Sequence, residues 1–109
     1  NILDGDGDRD QIVGGDGNDT LSGGDEIDLL LGNGGSDTIH GNDGEDWAHG
    51  GSGVDYVYGA GEDDIVCGGG GADFVYGDGE DGEDYCADTS DTLDASCEDT
   101  GDSCSNQPW

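Results

Sequence analysis

Basic residues are almost absent from this sequence. Its 109 residues include 29 Asp and Glu but only one Lys or Arg, which is Arg9, and the formal net charge at pH 7 is −28. A surface of this sign repels nucleic-acid phosphates and anionic membranes. A compact chain would also repel itself. The composition therefore excludes nucleic-acid binding and predicts that folding needs cations.

Long apolar runs and a recognisable leader are also missing. No run approaches the roughly 20 apolar residues that cross a bilayer, so we expect no membrane insertion. The chain starts at Asn1 instead of Met and shows no signal peptide, which suggests a processed or trimmed product. No Ser–His–acid arrangement and no paired-carboxylate cleft can be identified, so we expect no enzyme.

Glycine and aspartate recur with a period of nine residues. Numbered from a glycine at position one, eight unbroken repeats cover Gly5–Tyr76, and we number them 1 to 8 in chain order. Position one is always Gly and position six is always Asp. Position eight is always a small aliphatic residue: Ile12, Leu21, Leu30, Ile39, Ala48, Val57, Val66 and Val75.

Each repeat is predicted to be a turn followed by a short strand. Positions one to six are dominated by glycine, which supplies the positive φ angles of tight turns, and by small polar residues. Positions seven to nine are expected to form a three-residue strand with position eight facing inward. One such unit cannot bury its apolar side, whereas stacked copies bury a continuous column. The sequence therefore predicts a single all-β solenoid.

The position-six aspartates are the candidate metal ligands. Carboxylates and turn carbonyls are the hard oxygen ligands that Ca²⁺ takes six to eight at a time, and two loops one coil apart can share an ion. Nine loops paired in this way give about seven ions. Binding and folding should then be one event. The candidate ligands are Asp10, Asp19, Asp28, Asp37, Asp46, Asp55, Asp64, Asp73 and Asp84.

The sequence closely resembles the repeats-in-toxin (RTX) family. The family's nonapeptide GGxGxDxUx is matched by GGDGNDTLS at Gly14–Ser22, GGSGVDYVY at Gly50–Tyr58 and GGGGADFVY at Gly68–Tyr76. The resemblance implies a right-handed parallel β-roll with two nonapeptides per coil and a column of Ca²⁺ along each edge. It also implies a secreted, bacterial-type protein, although cysteine is unusual in the family's type I secreted members.

Odd and even repeats differ at position four. Even repeats carry glycine there, whereas the other set carries Asp8, Glu26, Gly44, Glu62 and, after Gly77, Glu80. The two edges of the solenoid should therefore differ chemically. The extra carboxylates are interpreted either as ligands of a further ion or as solvated charges outside ordinary sites.

Positions seven and nine should face outward, and they become increasingly apolar along the chain. Residues such as Trp47, Tyr58 and Tyr76 could form contact surfaces. They could equally stabilise each sheet by stacking on neighbouring strands. His40 and His49 belong to repeats of opposite parity, so they should lie on opposite faces and not form a metal pair.

The repeat phase slips after Tyr76. Gly77-Asp78 is interpreted as an insertion, after which Gly79–Ala87 resumes the repeat with Asp84 at position six, and Asp91–Leu93 predicts one more strand. We divide the chain into a calcium-binding roll at 1–87 and an irregular cap at 88–109. The four cysteines of the whole chain favour an oxidising compartment and disulfides. We prefer the pairs Cys67–Cys86 and Cys97–Cys104.

Three functional classes compete for a repeat of this kind. The preferred one is an extracellular calcium-binding structural protein that assembles end to end, because the N-terminal coil begins in mid-repeat at Asn1–Asp4 with Leu3 uncovered. The alternative is a calcium-triggered accessory block of a larger toxin, protease, lipase or adhesin. An ice-binding module needs a regular threonine row, and the row Thr20, Thr38 is broken by Tyr56. We expect partners to be Ca²⁺ and other copies of the chain.

Overall fold

The structure is a computed structural model, and it describes residues 1–77 together with the backbone of residues 84–87, 92–93 and 97–99. All regular elements in these residues are β-strands. In chain order they are β1 Ile2–Asp4, β2 Gln11–Asp16, β3 Thr20–Gly24, β4 Leu29–Gly34, β5 Thr38–Asn42, β6 Trp47–Gly53, β7 Tyr56–Ala60, β8 Ile65–Gly71, β9 Phe74–Tyr76, β10 Asp84–Ala87, β11 Thr92–Leu93 and β12 Cys97–Asp99.

The strands form two parallel sheets that the chain visits alternately. Odd-numbered strands run β1-β3-β5-β7-β9-β11 in the first sheet, and even-numbered strands run β12-β10-β8-β6-β4-β2 in the second. Leu21 is opposite Ile39, and Leu30 is opposite Ala48. These partners are 18 residues apart, which is the length of two nonapeptides. The predicted all-β parallel solenoid is confirmed, and it makes about four turns.

The core is a single column of position-eight side chains between the two sheets. Ile12 is 8% exposed and the remaining seven are 0% exposed, as predicted. Leu3 packs against the end of this column. Because each repeat contributes one small aliphatic residue, the column is narrow, and backbone pairing between coils provides most of the remaining order.

The strands are longer than the three residues that the sequence predicted. β6, for example, runs from Trp47 to Gly53 and so extends into positions one to four of the next repeat. Glycine-rich backbone is compatible with this because paired strands need no side chain. The assignment of positions one to six to turn alone was therefore wrong.

Positive φ is confined to positions two and four of the repeat among the described residues. Position two has φ above zero even where it is not glycine, as at Asp6, Asn33, Asn42 and Ala60. Position one, which never varies, does not have positive φ. The constant glycine at position one therefore needs another explanation, which lies in the site described below.

The C-terminal strands continue the sheets past the phase slip. Tyr85 is opposite Ile65, 20 residues earlier, which fits the predicted two-residue insertion, and Thr92–Leu93 forms the predicted strand β11. Strand β12 was not predicted, because Cys97–Asp99 has no repeat signature. It pairs with β10.

Cys67 is the one cysteine whose side chain lies in the described residues. Cys67 is buried and disulfide-bonded. Its partner lies outside the described side chains, so both predicted pairings stay predictions. His40 lies on β5 and His49 on β6, in different sheets, as expected. No helix in the described part of the chain is long and apolar enough to cross a membrane.

Candidate metal centre

The position-six aspartates lie in two buried columns, one along each edge of the solenoid. Loops of odd repeats lead from the first sheet to the second, and loops of even repeats lead back. We call the edge formed by the loops of odd repeats the acidic edge, and the edge formed by the loops of even repeats the glycine edge. Asp10 is partly buried, and seven aspartates are at most 3% exposed: Asp19, Asp28, Asp37, Asp46, Asp55, Asp64 and Asp73. Asp84 lies outside the described side chains.

One carboxylate oxygen of these aspartates links successive coils. The Oδ1 atom of Asp37 accepts a hydrogen bond from the backbone N–H of Asp19 at 2.8 Å, and Asp55 Oδ1 accepts from Asp37 at the same distance. The same bond recurs on the acidic edge, for example from Asp28 N–H to Asp46 Oδ1 at 2.8 Å. From Asp28 to Asp73, each carboxylate therefore satisfies a backbone donor one coil away, which sequence reasoning missed, whereas Asp19 Oδ1 pairs with the N-terminal ammonium of Asn1 at 2.6 Å.

The other oxygen has no donor. Oδ2 is buried and accepts no hydrogen bond from the described residues in six of the aspartates: Asp10, Asp19, Asp28, Asp37, Asp46 and Asp55. A buried carboxylate oxygen without a partner is costly. Since Arg9 is the only Lys or Arg in the chain, basic side chains cannot compensate a column of such groups. A bound cation would compensate the negative charge of these carboxylates.

Position-one glycine brings these oxygens close to the backbone. A Cβ atom on Gly14 would lie 2.8 Å from Asp19 Oδ2 and 2.9 Å from Gly32 O, and one on Gly50 would lie 2.5 Å from both Asp55 Oδ2 and Gly68 O. A side chain at either position would therefore collide with two oxygens. The glycine is constant because the carboxylate and a carbonyl of the next coil share the space beside it.

Backbone carbonyls would have to complete any ion's coordination. No three His, Cys, Asp or Glu side chains converge on one point in the part of the chain that the structure describes. Positive φ at position two, and at position four in most loops, bends the backbone tightly beside these aspartates, so the carbonyls of the same loops are the nearby oxygens that could serve. Carboxylates from position six together with such carbonyls are the oxygen donors that Ca²⁺ prefers. The residues present fit this ion.

Burial perturbs the ionisation of these aspartates. Removal from water raises the pKa of Asp46 and of Asp55 from 3.8 to about 6, although the backbone hydrogen bond to Oδ1 opposes the shift and neighbouring aspartates add to it. The pKa values of Asp28 and Asp37 are raised for the same first reason. In the metal-free fold, ionised carboxylates are thus destabilised, and a cation that compensates their charge is favoured.

The extra acidic residues at position four lie on the surface. Asp8, Glu26 and Glu62 are exposed on the acidic edge. Glu26 and Glu62 line a shallow depression together with Asp43 and Glu45. The structure therefore places them outside the buried columns, and their role as ligands of a further ion stays untested.

The outward aromatic residues stack along the first sheet. The rings of His40 and Tyr58 have centroids 4.8 Å apart, those of Tyr58 and Tyr76 4.9 Å, and those of Tyr56 and Phe74 4.8 Å, all nearly parallel. Stacking between neighbouring strands, one of the two interpretations of these residues, is confirmed. Their use as contact surfaces stays a prediction.

The fold and the two columns define a class, that of calcium-binding β-solenoid repeat proteins. A family model described as the RTX calcium-binding nonapeptide repeat matches residues 1–30, 31–66 and 49–85. The chain belongs to this family, and the resemblance seen in the sequence is confirmed. Comparison with curated proteins and with solved structures found no match.

Proposed function

We propose that this protein is a calcium-triggered folding module in which the position-six aspartates bind the ions. The observation that carries the proposal is the buried column of carboxylates whose Oδ2 atoms accept no hydrogen bond, as in Asp28, Asp46 and Asp55. Without a cation, a net charge of −28 opposes compaction. About seven ions would supply about +14 and halve it.

Folding and binding should therefore occur together. Circular dichroism in EGTA and then in excess Ca²⁺ tests this, with Mg²⁺ as a control, because its stricter octahedral geometry and reluctance to lose water suit these loops poorly. We expect β structure to appear with Ca²⁺ and not with Mg²⁺. A β spectrum that persists after exhaustive chelation would overturn the proposal.

Extracellular placement is part of the proposal. Ligand sets made largely of carbonyls have few charges per ion, and extracellular calcium modules typically bind with Kd values of roughly 10⁻⁴–10⁻³ M. RTX repeat proteins are typically secreted by bacteria. Calorimetric titration should give Kd values in this millimolar-to-submillimolar range, whereas submicromolar binding would point to an intracellular role instead.

We also propose end-to-end association. β1 and β2 are the terminal strands of the two sheets, and Ile2 is 86% exposed on β1. A strand added beside them would continue both sheets, and contacts between unlike ends propagate. That strand could come from a second copy of this chain or from a neighbouring segment of a larger RTX protein, which is the accessory-block alternative.

Sedimentation of the protein in millimolar Ca²⁺ separates these two cases. Self-association predicts growing species and fibres by electron microscopy, and deletion of Asn1–Asp4 should abolish them while calcium-dependent β structure persists. A protein that stays monomeric at high concentration would favour the accessory block.

A further inference from the structure

Negative charge is divided unequally between the two edges. Apart from position six, the loops of the glycine edge contain a single carboxylate, Asp16. The corresponding loops of the acidic edge contain eight: Asp6, Asp8, Asp25, Glu26, Asp43, Glu45, Glu62 and Asp63. These eight side chains are exposed. Ions at the two edges therefore experience very different electrostatic fields.

The backbone of the loops is more uniform on the glycine edge than on the acidic edge. On the glycine edge, position four is glycine with positive φ in all four loops. A Cβ atom on Gly35 would collide with Gly17 O, and one on Gly53 would collide with Gly35 O. These loops stack backbone on backbone with no space for a side chain. On the acidic edge, Asp8 and Glu62 lack positive φ at the same position, so the loops are less uniform.

Both edges nevertheless contain buried aspartates whose Oδ2 atom lacks a hydrogen-bond donor, and this feature points to a bound cation. On the acidic edge it is Asp28 and Asp46, at most 1% exposed, whose Oδ2 atoms accept no hydrogen bond from the described residues. On the glycine edge it is Asp37 and Asp55, which are equally buried and also have an Oδ2 without a donor. The sites are thus alike in their inner ligand and differ in what surrounds it.

We infer that the two columns select cations differently, the acidic edge by charge and the glycine edge by fit. This inference rests on the proposed function. A trivalent ion gains more than Ca²⁺ from each exposed carboxylate within about 10 Å, which is the Debye length at about 0.1 M salt. Backbone carbonyls at fixed spacing reward the correct ionic size instead. Tb³⁺ should therefore replace Ca²⁺ more readily on the acidic edge.

The size of this preference follows from Coulomb's law. In water at about 0.1 M salt, each carboxylate within roughly one Debye length of the site favours the ion with one more unit of charge by about 1.5-fold. We call the Tb³⁺ concentration that replaces half of the bound Ca²⁺ at an edge its half-exchange value. Several such carboxylates should make this value at least about threefold lower at the acidic edge than at the glycine edge. At about 1 M salt the Debye length is about 3 Å, so most of the difference should disappear.

Tryptophan next to each column allows the edges to be read separately. Trp47 follows Asp46 on the acidic edge, and Tyr56 follows Asp55 on the glycine edge. The chain with the single change Trp109→Phe has Trp47 as its only tryptophan, and we call it the acidic-edge reporter. The glycine-edge reporter combines Trp109→Phe and Trp47→Phe with Tyr56→Trp. Tb³⁺ is added to each calcium-saturated protein, and luminescence sensitised by the single tryptophan is followed at low and high salt.

Reciprocal variants move the charge between the edges. In the acidic-edge reporter, the exposed acidic residues are neutralised by Asp25→Asn, Asp43→Asn and Glu45→Gln, and half-exchange should shift to the value of the other reporter. In the glycine-edge reporter, the exposed position-five residues are replaced by Ser36→Asp, Val54→Asp and Ala72→Asp, and half-exchange should move toward lower Tb³⁺. Circular dichroism monitors folding throughout.

Equal half-exchange at the two reporters, with the same salt dependence and intact β structure, would overturn this inference and leave the proposed function standing. Unmoved values in both reciprocal variants would do the same. A chain that shows β structure without calcium and no sensitised luminescence at either edge would overturn the proposed function, and the inference with it.

Discussion

Replacing Asp55 by alanine should destabilise the calcium-loaded protein far more than any change to an exposed acidic residue nearby. Asp55 is 0% exposed, and its Oδ1 atom accepts a hydrogen bond from Asp37 N–H at 2.8 Å. Alanine leaves that buried donor without a partner, which costs about 1–3 kcal/mol. Loss of a charged ligand to the ion adds to this cost.

Asparagine at the same position separates these two contributions. Asp55→Asn retains an amide oxygen that can accept from Asp37 N–H but removes the negative charge. We therefore expect it to lose only the ligand contribution in calcium, and to be more stable than Asp55→Ala by about 1–3 kcal/mol, the cost of the unpaired donor. Without calcium, the same change removes a buried charge whose pKa is raised from 3.8 to about 6. After allowance for solvent screening, that relief amounts to roughly 1–2 kcal/mol.

The assay is urea unfolding in millimolar Ca²⁺, followed by circular dichroism, with Glu45→Ala as the matched control. Glu45 is exposed at position five, so its replacement should change the free energy of unfolding by no more than about 0.5 kcal/mol. The expected order of stability is wild type, then Asp55→Asn, then Asp55→Ala. If Asp55→Asn equals wild type in calcium, the side chain is a hydrogen-bond acceptor and not a ligand, and the proposed site is wrong.

Three further predictions concern acidity, glycine and cysteine. In calcium-free protein, β structure followed by circular dichroism should increase as pH falls from about 6 toward 4, because the raised pKa values of Asp46 and Asp55 make the folded chain bind protons that the unfolded chain does not; a spectrum that does not change with pH would contradict this. Gly50→Ala should cost about 1–3 kcal/mol because its Cβ would lie 2.5 Å from two oxygens, whereas Gly70→Ala, whose nearest atom is at 3.7 Å, should be nearly neutral in the same unfolding assay. Alkylation without reduction followed by mass spectrometry should label no cysteine, and labelling of Cys67 would contradict its disulfide.

The architecture was predictable because only one position in each repeat can supply the apolar core. Position eight is the only consistently aliphatic position, so any fold that buries apolar surface must place Leu21, Ile39 and Val57 in one column, and stacking follows. The period also predicted the register after the phase slip, where Tyr85 pairs with Ile65. Strand β12, which pairs with β10, could not be predicted, because Cys97–Asp99 carries no repeat signature.

The site was predictable in its residues but not in its geometry. The recurring aspartate indicated a ligand, yet its second role as an acceptor for the N–H one coil away depends on coil spacing, which a sequence does not reveal. Glycine at position one was attributed to turn formation, whereas Gly14 is constrained by Asp19 Oδ2 and Gly32 O. A periodic glycine without positive φ is a signal of close approach, and it can be recognised only once the backbone is known.

The two oxygens of one carboxylate explain why folding and calcium binding should be inseparable in this protein. Oδ1 of Asp46 binds the backbone of the preceding coil, so the coils cannot stack without bringing Asp46 into line with Asp28 and Asp10. Stacking places these like charges roughly 4.8 Å apart, the spacing of neighbouring strands, where each pair repels by about 1 kcal/mol even in water and by more when buried. Every added coil therefore strengthens the backbone pairing and the repulsion together. We therefore expect each added coil to recruit cations, and the number of bound ions to increase in proportion to the number of coils.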